Sequence, residues 1–246
     1  QDANQVIHDL AQVLGQPVPK ESAAVRESFL QAAHFVGREK EMSTLEAALK
    51  SAMNGKGGAW LIGGESGVGK SRLLDEMRIL ALVQGVTVLR GQANPNGGLP
   101  YQLWREPLRR LLLHTDLNDL DAGVLKTIVP DIEQLQQRTI PDAAELSTTA
   151  FQQRLLSTIA SVFQRQTKPI VLILEDLQWI AESIDVLRLL VGMVSELPIL
   201  LIATYRPEDR PTLPGELPDM TPMRLERLSP ENIADLSESM LGKTGA

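Results

Sequence analysis

Residues Gly64-Glu65-Ser66-Gly67-Val68-Gly69-Lys70-Ser71 follow the pattern G-x-x-x-x-G-K-S, and each specified type has a chemical reason. Glycines let the backbone curl with its N–H groups turned inward around an anion. The lysine ammonium reaches the outer phosphates of a nucleotide, and the serine hydroxyl is a ligand for Mg²⁺. A second constellation lies downstream, where Ile170-Val171-Leu172-Ile173-Leu174 is an unbroken aliphatic run ending in two acids, Glu175 and Asp176. Acids at the end of such a strand can hold Mg²⁺, directly or through water, and orient an attacking water. The order Glu-Asp leaves two assignments open: Glu175 on the metal side with Asp176 as base or water-positioning group, which is the favoured one, or the reverse. A third apolar run, Ile199-Leu200-Leu201-Ile202-Ala203-Thr204, ends in Tyr205-Arg206-Pro207. Arg206 suits a reporter of the γ-phosphate, because its planar fork matches phosphate oxygens and keeps its charge, with Thr204 as helper.

These residues need elements to position them. Ala59-Trp60-Leu61-Ile62 reads as a buried strand leading into the glycine loop, and Leu73, Leu74, Met77, Leu80 and Ala81 recur at helical spacing after it. Strand, loop and helix follow in the order that brings the positive end of the helix to the phosphate site. The run before Glu175 has the composition of a central parallel strand. The leucine-rich stretch between predicts helices over Leu103 to Leu113, over Leu120 to Ile128, and a longer one through Phe151, Leu155, Ile159 and Phe163, with Pro130 and Pro141 as interruptions. Near the start, Val6, Ile7, Leu10, Val13 and Leu14 predict a helix, followed by a proline-containing linker to Glu27. Arg109-Arg110 reads as a solvated face or a partner contact. Trp60, Trp104 and Trp179 read as core residues, Trp179 near enough to the acids to touch the site. His8, His34 and His114 are isolated, without a second ligand at zinc-site spacing.

The chain has 246 residues, 43% of them hydrophobic, enough for one large α/β domain with small appendages. It has no cysteine, which excludes disulfides and cysteine-ligated metals and suits a cytoplasmic setting. No apolar stretch approaches a membrane span, and no leader precedes the first helix. The net charge of −7, without a basic run, predicts neither direct nucleic-acid binding nor attraction to a membrane. Thr167-Lys168-Pro169-Ile170 lacks the aspartate of a guanine-reading motif, so ATP or ADP with Mg²⁺ is expected. The start at Gln1 without methionine and the stop at Ala246 after a helical pattern read as ends cut from a longer protein.

In this order the motifs resemble the STAND class of AAA+-related ATPases, notably the ATPase modules of large bacterial signalling proteins such as serine/threonine kinases and transcription regulators. Phe35-Val36-Gly37-Arg38-Glu39 resembles the entry motif that borders the adenine, with Met42, Leu45 and Leu49 on the following helix. Gly91-Gln92, Leu99-Pro100-Tyr101-Gln102, Leu177-Gln178-Trp179, Ala203 to Glu208, and Leu225 to Pro230 resemble later segments; the last of these corresponds to the final strand and its exit into a lid helix. Gln178 replaces a histidine common in relatives, and Ile180-Ala181-Glu182 departs from their Ala-Asp pair. The resemblance implies a three-layer α/β P-loop NTPase of the additional-strand type, with a central parallel five-stranded sheet flanked by helices. The expected organisation is a helix and linker over 1–30, either a plain packing helix or, as its start resembles, the closing helix of a kinase domain, then an ATPase domain over 31–228 and a truncated helical lid over 229–246. Val36, Gly37, Arg38, Gly64, Glu65, Ser66, Gly67, Val68, Gly69, Lys70, Ser71 and Arg72 would bind nucleotide. Ser71, Glu175 and Asp176 would hold Mg²⁺, and Lys70, Glu175, Asp176 and Arg206 would serve catalysis. The implied function is Mg-ATP binding with slow hydrolysis as a switch inside a larger protein, and the alternative is a noncatalytic scaffold that holds ADP or ATP. Expected partners are ATP, other domains of the parent protein, regulatory proteins and a nucleotide-dependent oligomer.

Overall fold

Five strands run parallel in one sheet in the computed structural model, which describes residues 36–95, 99–143, 147–180 and 183–241. In chain order the elements are α1 (Glu39–Met53), β1 (Gly58–Gly63), α2 (Lys70–Val83), β2 (Thr87–Gln92), α3 (Gln102–Leu112), α4 (Asp119–Leu125), α5 (Ile132–Gln136), α6 (Thr148–Gln164), β3 (Ile170–Glu175), α7 (Ile184–Met193), β4 (Ile199–Tyr205), α8 (Leu213–Glu216), β5 (Thr221–Arg224) and α9 (Pro230–Leu241). Short 3₁₀ turns occupy Leu177–Trp179 and Val194–Glu196. The chain divides into two units, Arg38–Arg227 and a second made of Gln1–Gly37 with Leu228–Ala246. In the second, Gly37 has a left-handed φ of 74° and packs against Asn232 of α9.

The sheet order in the first unit is β2-β3-β4-β1-β5, so β4 is the strand inserted between β1 and β3. β3 and β4 are buried along their whole length, as their unbroken aliphatic composition requires of strands covered on both faces. Parallel register pairs Gly63 with Tyr205, Leu174 with Ala203 and Gln92 with Glu175. The carboxyl ends of four strands therefore meet along one rim.

The helices between β2 and β3 pack into the same core as the sheet. Trp104 is fully buried, meets Phe163 edge-on with ring centroids 6.3 Å apart, and donates its indole N–H to the Ser183 carbonyl at 3.2 Å. That bond satisfies the one polar group of a large apolar side chain. Pro107 lies inside α3 and cannot donate to the Leu103 carbonyl one turn back. That carbonyl lies against Gly91 of β2, where a Cβ would come within 2.1 Å of it.

Several expectations shift. The helix expected over Leu120 to Ile128 is α4, ending at Leu125; Asn118 caps it by accepting from the Asp121 N–H at 2.8 Å, and α5 follows it. The final strand, expected within the segment Leu225 to Pro230 that also leads into the lid helix, is β5 at Thr221–Arg224, with the Leu225 N–H continuing the pairing to Gly63 at 2.8 Å. Arg109 and Arg110 are not simply solvated: Arg109 pairs with Asp131 at 2.6 Å, and Arg110 donates to the Val88 carbonyl at 3.1 Å. Trp179 is 40% exposed and so is not a core residue. The expected first helix and linker, His8, His34, Phe35, and the departure at Ala181-Glu182 lie outside the described residues.

Candidate functional site

The glycine loop leaves β1 and turns directly into α2. Gly67 and Gly69 take φ of 76° and 101°, a conformation side chains oppose, and α2 begins at Lys70 with no acid in its first turn. An anion at this helix start meets free N–H groups and no competing carboxylate from the helix itself. Lys70 Nζ is folded back over the loop, donating to the carbonyls of Gly64 at 2.6 Å and Glu65 at 2.8 Å. Burial lowers the Lys70 pKa and Arg206 lowers it further, while Glu208, Asp176 and Asp209 oppose them.

The acids of β3 arrive beside the loop. Glu175 is 4% exposed; its Oε2 lies 3.4 Å from Ser71 Oγ, and its Oε1 accepts from Arg90 Nε of β2 at 2.5 Å. Asp176 takes a left-handed φ of 59° and donates its backbone N–H to Thr204 Oγ1 at 3.3 Å. Its carboxylate accepts from Gln92 at 3.0 Å and from Gln178 at 3.1 Å. Gln178 also accepts the Arg206 backbone N–H at 3.1 Å, so it links the acid to the start of the segment after β4. The Arg206 side chain is about a third exposed, 4.0 Å from Asp209.

Two further contacts bear on the loop. Glu208 accepts the Ser66 backbone N–H at 3.0 Å, and its pKa is held down by its own backbone N–H, by Ser66 and by the nearby Lys70 and Arg206 charges. Arg38 is buried and donates to the carbonyls of Val68, at 3.1 Å, and Glu226, tying the loop to the chain after β5. Of the other expected nucleotide-binding residues, Glu65 pairs with Arg227 at 2.7 Å and Arg72 with Glu76 at 2.6 Å. Val36 and Gly37 belong to the second unit. A cleft of about 470 Å³ opens beside the loop between Val68, Pro207, Glu208 and Leu225.

A hydroxyl and a carboxylate facing each other are suitable oxygen donors for Mg²⁺. Among the described residues no group of three or more His, Cys, Asp or Glu could cage a metal. Arg90, Gln92 and Glu208 were not singled out as site residues by the sequence. Arg90 did carry a signal, as a lone charge in the otherwise uncharged run Thr87 to Gln92.

The glycine loop, the acids ending β3 and the strand inserted between them define a P-loop NTPase of the additional-strand architecture. The chain belongs to the AAA ATPase domain family, whose model matches residues 34–202. Among solved structures it is similar to the Orc1 protein of Aeropyrum pernix in complex with DNA, with a TM-score of 0.50 and 17% identity over 87% of this chain and 52% of that one. It is also similar to AMPPCP-bound DnaA from Aquifex aeolicus, with a TM-score of 0.45 and 13% identity over 86% of this chain and 53% of that one. An uncharacterized protein of Rhizobium meliloti (strain 1021) is 27% identical over 203 residues, 70% of this chain and 18% of that protein. The chain thus spans less than a fifth of that relative's length. Among the described residues no helix is long and apolar enough to cross a membrane.

Proposed function

We propose that this domain binds Mg-ATP, hydrolyses it slowly, and acts as a nucleotide-dependent switch of the STAND type inside a larger regulatory protein, in a cytoplasmic setting. The observation that carries the reading is the convergence of Lys70, Ser71 and Glu175 at the end of the glycine loop. Lys70 neutralises phosphate charge once it leaves the loop carbonyls, and Ser71 and Glu175 offer oxygens to the cation. Asp176 orients the attacking water, and Arg206 reads the γ-phosphate with Thr204 holding the acid beside it. The resemblance of Phe35 to Glu39 to the family's entry motif assigns Val36 and Gly37 to the base, Arg38 anchors the loop, and residues 229–246 begin a helical lid.

Nucleotide released from purified protein, followed by Mg²⁺-dependent phosphate production, tests this. Lys70→Ala is expected to lose tight nucleotide binding while staying folded, and Asp176→Asn to lose most phosphate release. Unchanged affinity in Lys70→Ala would sink the assignment. A noncatalytic, nucleotide-holding scaffold is the second reading, favoured by one observation: Glu175 is already engaged by Arg90 and Asp176 by two glutamine amides. Retained ADP without turnover selects it. The expectation of no nucleic-acid partner gains no support from the fold comparison, since one similar structure holds DNA; titration with duplex DNA measures it directly.

A further inference from the structure

β2 is an edge of the sheet, and among the described residues no strand pairs with its outer side. Thr87 and Ala93 donate their N–H groups inward, to Pro169 at 3.3 Å and Glu175 at 3.0 Å. By the alternation of a strand, the backbone groups of Val88, Arg90 and Gln92 therefore point away from β3. Arg110 reaching the Val88 carbonyl from outside agrees with that parity. α2 covers one face of β2, where Asp75 approaches Arg90 at 3.6 Å, and α3 covers the other, where Leu103 lies against Gly91. Between the two helices runs a groove of about 950 Å³ with the free edge of β2 as its floor.

The walls are chemically unlike. Arg78, Arg90, Arg105 and Arg110 line the groove against one acid, Glu106, and a second hollow sharing Thr87 and Arg110 is lined by Arg165, Lys168 and Asp116. This is a cationic strip on a chain whose net charge is −7. Among the described residues no carboxylate is within ion-pair distance of Arg105 or Arg110, and the buried Nε of Arg105 has no hydrogen-bond partner, whereas Arg78 Nε lies 3.8 Å from Asp75. On the α2 wall Leu82 is half exposed. Six residues of β2 offer about 20 Å of edge.

We propose that this groove binds an extended acidic polypeptide segment of a partner protein, which adds as a sixth strand to β2. Its backbone pairs with the outward groups of Arg90 and Gln92. Side chains alternate across a strand, so one set meets Leu82 and the other set, carrying carboxylates, meets Arg105 and Arg110. A peptide fits better than nucleic acid because the floor of the groove is a row of backbone donors and acceptors in strand geometry, which matches another backbone.

A labelled ten-residue peptide alternating valine and glutamate, titrated into the purified chain without nucleotide and followed by fluorescence anisotropy, tests this. Saturable binding is expected, weakened at least tenfold by Arg105→Glu and retained by Arg109→Ala, whose side chain pairs with Asp131 outside the groove. Thermal melts of both variants verify folding. Methylating alternate amide nitrogens of the peptide should abolish binding on one alternation and spare it on the other. Binding that survives both methylation patterns overturns strand addition. Preference for a single-stranded oligodeoxynucleotide that also depends on Arg105 overturns the peptide as occupant, and no peptide binding to folded protein at millimolar concentration overturns the site.

Discussion

Glu208 draws on a loop donor that a phosphate would also use, the Ser66 N–H at 3.0 Å. Entering nucleotide has to displace that carboxylate and then bear its negative charge nearby. Glu208→Ala is accordingly expected to tighten nucleotide binding roughly three- to tenfold, read by titration of a fluorescent ATP analogue. Equal or weaker affinity would mean that the carboxylate does not compete. Lys70 makes a second prediction. Burial and then Arg206 lower its pKa in the nucleotide-free protein, and phosphates at the loop favour its charged form. Between the lowered value and the ordinary lysine value, nucleotide binding should take up protons, measurable by calorimetry in buffers of different ionisation enthalpy. Heats independent of buffer throughout the alkaline range would contradict it. The same shift makes the unfolded chain hold more protons than the folded one in that window, so this group's effect on stability grows more favourable as pH rises through it.

At the scale of elements, the packing of α3 on β2 depends on a proline and a glycine acting together. Pro107 leaves the Leu103 carbonyl without its helical donor, and Gly91 leaves room for that carbonyl over the strand. Gly91→Ala is expected to cost about 1–3 kcal/mol through forced displacement of backbone, whereas Gly192→Ala, in a helix with open space around it, should be neutral or stabilising. Denaturant titrations of the two variants give the comparison. What the sequence disclosed follows from how local each feature is. The glycine loop, its strand and its helix occupy one stretch and were legible together. The meeting of Ser71 with Glu175 was legible as a pairing of motifs, but Arg90 on Glu175 and Gln92 on Asp176 were not. Those contacts arise because β2 pairs with β3 across the whole helical insertion, a long-range pairing no local pattern encodes. β5 was misplaced because it is four residues long and contains Pro222, which reads as a break. Gln178 was visible as a departure from relatives, while its two-sided bonding to Asp176 and Arg206 needed the folded rim.

For the molecule as a whole, a nucleotide that binds only the folded state must raise its stability. At a hundredfold excess over Kd the gain is about 2.7 kcal/mol, a rise in Tm of roughly 5–10 °C for a unit of this size. Differential scanning fluorimetry with Mg-ATP should record that rise, and Lys70→Ala should not show it. A rise of equal size in the variant would detach the stabilisation from the glycine loop. The two borders of the sheet also differ. The Leu225 N–H points inward to Gly63, so the alternation turns Pro222 outward and leaves the middle of β5 with no donor to offer. A filament grown edge to edge would need two receptive borders on every copy. Through β5 each copy would lack that central donor, so among the described residues β2 is the border better suited to receive a strand.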